Sequence, residues 1–183
     1  MSLLYDPNDE TYPVYPTDAI ASLFRLPVNG RILPFSFEGR RYFKQIYDSP
    51  WPYLLLKCGR QVGKSTFLAN LALLYMALKE HYKVLFVSPT EQQTTQFSHD
   101  RIRSTIDCSP FLSRLEDRRS VSKVIHKKFL HHSEIRLRYA YHNADRVRGM
   151  TTDMLQLDEV QDIIMSLVPV IEETLFTTTK KMK

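Results

Sequence analysis

Cys58-Gly59-Arg60-Gln61-Val62-Gly63-Lys64-Ser65-Thr66 gathers small residues, a lysine and two hydroxyls into one short stretch. That combination suits a polyphosphate. Backbone N–H groups of such a turn, and of a helix that follows it, can surround phosphate oxygens. Gly63 lets the chain approach closely, Lys64 places a point charge beside the β- and γ-phosphates, and Ser65 can coordinate Mg²⁺. The pattern G-x-x-x-x-G-K-[ST] is met except in its first place, which holds Cys58, with a glycine one position later at Gly59. Cys58 reads as a small residue that fits the loop, not as a reactive thiol. A second stretch, Leu155-Gln156-Leu157-Asp158-Glu159, has the form of an apolar strand that delivers an acidic pair to its C-terminal edge, where ligands sit in open α/β sheets. Asp158 then holds Mg²⁺ through Ser65 or water, and Glu159 polarises the water that attacks the γ-phosphate. Acidic residues also suit the start of a helix. The phosphate loop upstream favours the chemical reading over that one.

These residues need elements to position them. Tyr53-Leu54-Leu55-Leu56-Lys57 reads as a buried strand leading into the loop, and Thr66 to Leu78 as a buried helix leaving it. Val84-Leu85-Phe86-Val87 reads as a second buried strand ending at Ser88-Pro89. Thr90-Glu91-Gln92-Gln93 has capping-box spacing for a helix running to about Asp107, which Ser109-Pro110 stops. In Val121 to Tyr141, Ile135, Leu137, Tyr139 and Tyr141 alternate with Arg136 and Arg138 after a polar His131-His132-Ser133 turn, which predicts an inserted β-hairpin. Met154 to Leu157 forms a further strand, and Ile163 to Leu175 a helix that must tolerate Pro169. Strands alternating with helices imply a three-layer α/β fold around a mainly parallel central sheet.

A chain of 183 residues with 43% apolar residues can bury one substantial core and has no room for a second full domain. Residues 1–34 hold half of the ten prolines, interleaved with Tyr5, Tyr12 and Tyr15, and read as an extended arm, a strap packed on its own domain in preference to a partner-binding arm, in which only Asp18 to Leu26, N-capped by Thr17, is helical. Residues 35–183 form the nucleotide-binding domain. The net charge of +5 favours a polyanionic partner without proving one. Cys58 and Cys108 are expected to be free thiols of a reducing compartment. Neither a signal peptide nor a membrane-spanning run is read, so a soluble, cytoplasmic protein is expected.

Several of these residues resemble one family. Gly59-Arg60-Gln61-Val62-Gly63-Lys64-Ser65 looks like the phosphate loop of phage terminase large subunits, in which Arg-Gln precedes a residue and Gly-Lys-Ser/Thr. The resemblance extends through Val87-Ser88-Pro89-Thr90 with Gln93 and Phe97, through Ala144-Asp145-Arg146-Val147-Arg148-Gly149, and through Leu157-Asp158-Glu159-Val160-Gln161-Asp162. It implies a P-loop NTPase of the RecA-like (ASCE) type that binds ATP and Mg²⁺ and drives double-stranded DNA into a procapsid in the host cytoplasm. Partners implied are the terminase small subunit, the portal protein and further copies in a ring, with a monomer expected in isolation. Arg60 would sense or stabilise the γ-phosphate, and Arg146 or Arg148 would be supplied to the neighbouring subunit's site. The family's coupling motif and nuclease domain are not found, so the chain is expected to stop before them. Thr177-Thr178-Thr179 resembles the loop ahead of the missing strand.

Phe35, Phe37, Arg41 and Gln45 could form an adenine pocket or equally serve packing and surface polarity. Lys123, Lys127, Lys128, Arg136 and Arg138, with Arg114, Arg118 and Arg119 before them, read first as a solvated hairpin face and second as contacts to DNA phosphates. His126, His131 and His132 lack partners at metal-site spacing and are placed in the turn. Two other functions stay open: a helicase-like DNA-dependent ATPase, and an assembly module that binds nucleotide without hydrolysing it.

Overall fold

A computed structural model describes residues 15–49, 52–117, 124–140 and 147–175. Its centre is strand β3 (Lys83–Ser88), buried at every position after Lys83. A strand covered on both faces needs a continuous apolar run, and Val84-Leu85-Phe86-Val87 supplies it. β3 pairs in parallel with β5 (Glu134–Tyr139) on one side and with β6 (Met154–Leu157) on the other. β4 (His126–Lys128) adds antiparallel to β5, giving the order β4-β5-β3-β6. The result is a mixed sheet, with the hairpin's second strand built into it.

Side chains alternate across a strand, so β3 feeds two cores. Val84 and Phe86 join Ile135 and Leu137 of β5 under helix α3 (Lys64–Leu78), together with Leu73, Leu74 and Met76. Leu85 and Val87 face Ala140, Val147, Ile163 and Ile171 on the opposite side. Phe86 lies flat on Phe97, with ring centroids 3.8 Å apart and planes within 3°.

The capping box forms as its spacing predicts. Thr90 Oγ1 accepts from the Gln93 backbone N–H, and the Gln93 side chain accepts from the Thr90 N–H. Helix α4 (Glu91–Phe97) starts there, passes through a π-helical turn at Ser98–Arg103 and continues as α5 (Ser104–Cys108), where the expected stop falls. Pro110 opens α6 (Pro110–Leu115). The expected single helix from Ile163 is instead a 3₁₀ turn at Met165–Leu167, helix α7 (Val168–Glu172) and a second 3₁₀ turn. Pro169 sits in the first turn of α7, where its missing N–H costs nothing.

Three expectations are corrected. The run 53–57 is not a buried strand: it joins no ladder, and Leu55 is 82% and Tyr53 77% exposed. Among the described residues β6 pairs only with β3, so its other edge offers this run no described neighbour. The described part of the arm is not merely extended. Helix α1 (Pro16–Leu23) begins two residues earlier than predicted, with Tyr15 rather than Thr17 at its N-cap, and Ile20 and Phe24 are fully buried in the main core. An unpredicted antiparallel ribbon follows, β1 (Arg25–Val28) with β2 (Arg31–Pro34). Its two prolines are tolerated because a two-stranded ribbon leaves outer edges free. Finally, Lys127 is buried, so that part of the hairpin does not present a solvated basic face. Burial, and after it the nearby Arg103, holds its ammonium below the usual lysine range.

Two substitutions separate core from exposed apolar residues. Phe86→Ala is expected to cost about 3–5 kcal/mol in urea unfolding, and Leu55→Ala less than about 0.5 kcal/mol. A loss for Leu55→Ala as large as that of a core leucine would show that segment 53–57 is buried.

Candidate active site

The loop 58–63 reaches α3 through two left-handed residues, Gln61 (φ 60°) and Gly63 (φ 97°). Gly63 is favoured by its φ, which disfavours any side chain; an added Cβ would only come into van der Waals contact with the Arg40 side chain and the Phe43 ring, at 3.4 and 3.6 Å. No side chain caps the start of α3, and no acidic residue occupies its first turn. The leading N–H groups of a fifteen-residue helix are therefore available to an anion. Tyr42, at the start of helix α2 (Tyr42–Tyr47), donates its hydroxyl to the Val62 carbonyl at 2.9 Å and braces the loop from outside.

Strand β6 approaches α3 from the other side. The buried Gln156 donates its amide to the Leu68 carbonyl inside α3 at 3.0 Å, fixing the strand against the helix. Two residues on, the Asp158 backbone N–H donates to the Val87 carbonyl at 3.0 Å, so the acidic pair leaves the sheet at its carboxyl edge. Glu159 adopts a left-handed conformation (φ 49°, ψ 47°) that side-chain-bearing residues seldom occupy, and such outliers concentrate at functional sites. Its carboxylate lies 3.7 Å from Lys64 Nζ and accepts from the Gln161 amide.

Asp158 is half-buried. Burial, followed by the adjacent Glu159 carboxylate, pushes its carboxyl above the usual aspartate range. The Glu159 backbone N–H, Lys64 and a hydrogen bond with the Ser65 side chain pull it partly back. Crowded negative charge beside a hydroxyl is a hard-oxygen environment of the kind Mg²⁺ takes when most of its remaining ligands are phosphate and water. The residues present fit that ion and a phosphate chain. Among the described residues, no group of three or more His, Cys, Asp or Glu side chains is placed to hold a metal without such help.

One cavity of about 740 Å³ collects the predicted residues Arg60, Gln61, Val62, Gly63, Lys64, Ser65, Thr66 and Glu159. Gly59 and Asp158 adjoin it without lining it. The cavity also takes in Arg40, Gln93, Arg101, Gln161 and Asp162. Of these, Arg40 and Arg101 received no role from the sequence. Arg40 is next to a residue weighed for the adenine pocket, whereas Arg101 carried no local signal.

The other predicted groups lie elsewhere. Arg148 is exposed on a turn anchored by buried Val147, outside the cavity, while Arg146 and Thr177 to Thr179 fall outside the described residues. Phe35 and Phe37 pack edge to face at 5.0 Å within the core, and neither they nor Arg41 and Gln45 line the cavity. The adenine pocket weighed for them is therefore not formed at this cavity: the two rings pack on each other, and Phe37 also packs on Tyr47. The histidines part company, His126 bonding Glu134 at 2.7 Å, His131 the Met76 carbonyl, and His132 stacking on His81.

Comparison with known proteins identifies the family. Residues 44–168 match the family model described as phage terminase large subunit gpA, ATPase domain. Among solved structures, the chain resembles the large terminase ATPase domain of Thermus phage P74-26, at 25% identity and a TM-score of 0.51, over 66% of this chain. It spans about half, 53%, of that chain. No curated protein matches. With more than half its length matched to that family model, the chain belongs to the ATPase-domain family of phage terminase large subunits.

Proposed function

We propose that this chain binds ATP with Mg²⁺ in the cavity at the start of α3 and hydrolyses it. The observation that carries the reading is the meeting of Lys64 and Ser65 with Asp158 and Glu159, two short motifs far apart in sequence. A P-loop NTPase of RecA-like type needs that convergence, and neither motif supplies it alone. The phosphate chain lies against the N–H groups of residues 59–66, with Lys64 beside the β- and γ-phosphates. Ser65 and Asp158 hold Mg²⁺, which when bound neutralises charge developing on the phosphates.

Glu159 orients the attacking water and takes up its proton. To do so its carboxylate exchanges Lys64 for that water, a small movement across a 3.7 Å gap. Arg60 steadies the γ-phosphate from within the loop. Arg146 or Arg148, the two candidates from the sequence, is supplied to a neighbouring copy's site; Arg148 does not line the cavity of its own subunit. An arginine at developing phosphoryl charge is worth about 10³–10⁵ in rate, enough to couple hydrolysis between subunits. In this reading the chain is the motor part of a terminase large subunit. It works as a ring on the portal with the small subunit in the host cytoplasm, and its hydrolysis translocates double-stranded DNA into a procapsid. Similarity to the large terminase ATPase domain of the Thermus phage supports that assignment.

Glu159→Gln is expected to lower Mg²⁺-dependent phosphate release by about 10²–10⁴ while ATP binding persists. Wild-type release no faster than that of the variant would leave a nucleotide-binding module rather than an enzyme. Because burial and Glu159 disfavour the Asp158 charge, Asp158→Asn is expected to raise the melting temperature of the metal-free chain. The same variant should lose the further stabilisation that Mg²⁺ with ATP gives the wild type. A lower metal-free melting temperature would show that Asp158 is a structural anchor.

A further inference from the structure

The cavity is also lined from the helix that runs from α4 into α5, which contributes Gln93 and Arg101. These residues are eight positions apart. In an uninterrupted α-helix with 3.6 residues per turn, seven positions return to the same face, while eight overshoot it by about 80°. The π-helical turn at Ser98–Arg103 absorbs one extra residue, so eight positions here span what seven would elsewhere.

Thr94, Ser98 and Ile102 of this helix face the core at i, i+4 and i+8 spacing, while Arg101 is exposed. π-helical turns are frequent at functional sites, and this one holds a cation that lines the cavity. The guanidinium of Arg101 makes no hydrogen bond or ion pair with any described residue, in contrast to Arg103 two positions on, which holds Asp107 and Glu116 at 2.5 and 2.6 Å.

We propose that Arg101 contacts the γ-phosphate of a nucleotide bound in its own subunit, so that the chain distinguishes ATP from ADP through a residue outside the phosphate loop. The proposal rests on the nucleotide reading of the cavity given above. Lys64 is engaged by Glu159 and belongs to the loop wall, whereas Arg101 approaches from the α4–α5 side. Under the proposal Arg101 meets the phosphate that a diphosphate lacks, from an element other than the loop that holds the shared phosphates. By this geometry Arg101 is a discriminating residue that acts in the same subunit, independent of any arginine received from a neighbour.

Calorimetric titration of the full chain with ATPγS and with ADP, each with Mg²⁺, tests it. Arg101→Ala should weaken ATPγS binding by about 10- to 100-fold, as for loss of a hydrogen bond to a charged group, and leave ADP binding within about twofold. Arg101→Lys should recover part of the loss, and far-UV dichroism with an unchanged melting temperature should show an intact fold. Equal weakening of both nucleotides, or of neither, overturns the proposal. So does unchanged discrimination together with weaker duplex DNA binding, which would assign Arg101 to DNA. Lys64→Ala serves as the reference and should lose both nucleotides. Retention of ATPγS by that variant would overturn the nucleotide reading of the cavity itself.

Discussion

The contact between Lys64 and Glu159, 3.7 Å from ammonium to carboxylate, depends on two elements being locked in register: the start of α3 and the end of β6. The lock is not the ion pair, since both side chains are partly solvated and such pairs contribute little to stability. It is the buried Gln156 amide on the Leu68 carbonyl, together with the parallel pairing of β6 with β3. These place the carboxyl edge of the sheet against the amino end of a helix. A crevice with exposed N–H groups on one wall and carboxylates on the other follows from that placement.

The charge arrangement then acquires a physical logic. Asp158 is held above the usual aspartate range by burial and by Glu159, so the isolated site carries an electrostatic cost. Cations on the opposing wall offset part of it, and a divalent ion would offset more. A phosphate chain reverses the requirement by bringing its own negative charge to Arg60, Lys64, Arg40 and Arg101, all of which line the cavity. On the proposed reading, nucleotide and metal would relieve different halves of the same imbalance.

Much of this was legible in the sequence because the signals are local. Gly63-Lys64-Ser65 demands a helix start, Thr90 and Gln93 form the predicted capping box, and the apolar run 84–87 belongs to a strand covered on both faces. What escaped depends on neighbours distant in sequence. The run 53–57 carries the same apolar signature as β3, yet burial requires partners, and it has no described ladder. Proline-rich sequence marks the arm as a strap on its own domain, but which of its residues enter the main core, Ile20 and Phe24, is set by contacts distant in sequence. Phe35 and Phe37 could have stacked on a base, but aromatic rings next to one another are as readily satisfied by packing. Arg101 was hidden because a π turn alters which face a residue occupies without changing the residue types around it.

A crystal structure of the chain with Mg²⁺ and a non-hydrolysable ATP analogue measures the central claim most directly. The account predicts phosphates lying against the N–H groups of Gly63, Lys64 and Ser65, metal between Ser65 and Asp158, and Lys64 drawn from Glu159 toward the β- and γ-phosphates. An analogue bound outside this crevice at saturating concentration, with the Lys64–Glu159 contact intact, would contradict it.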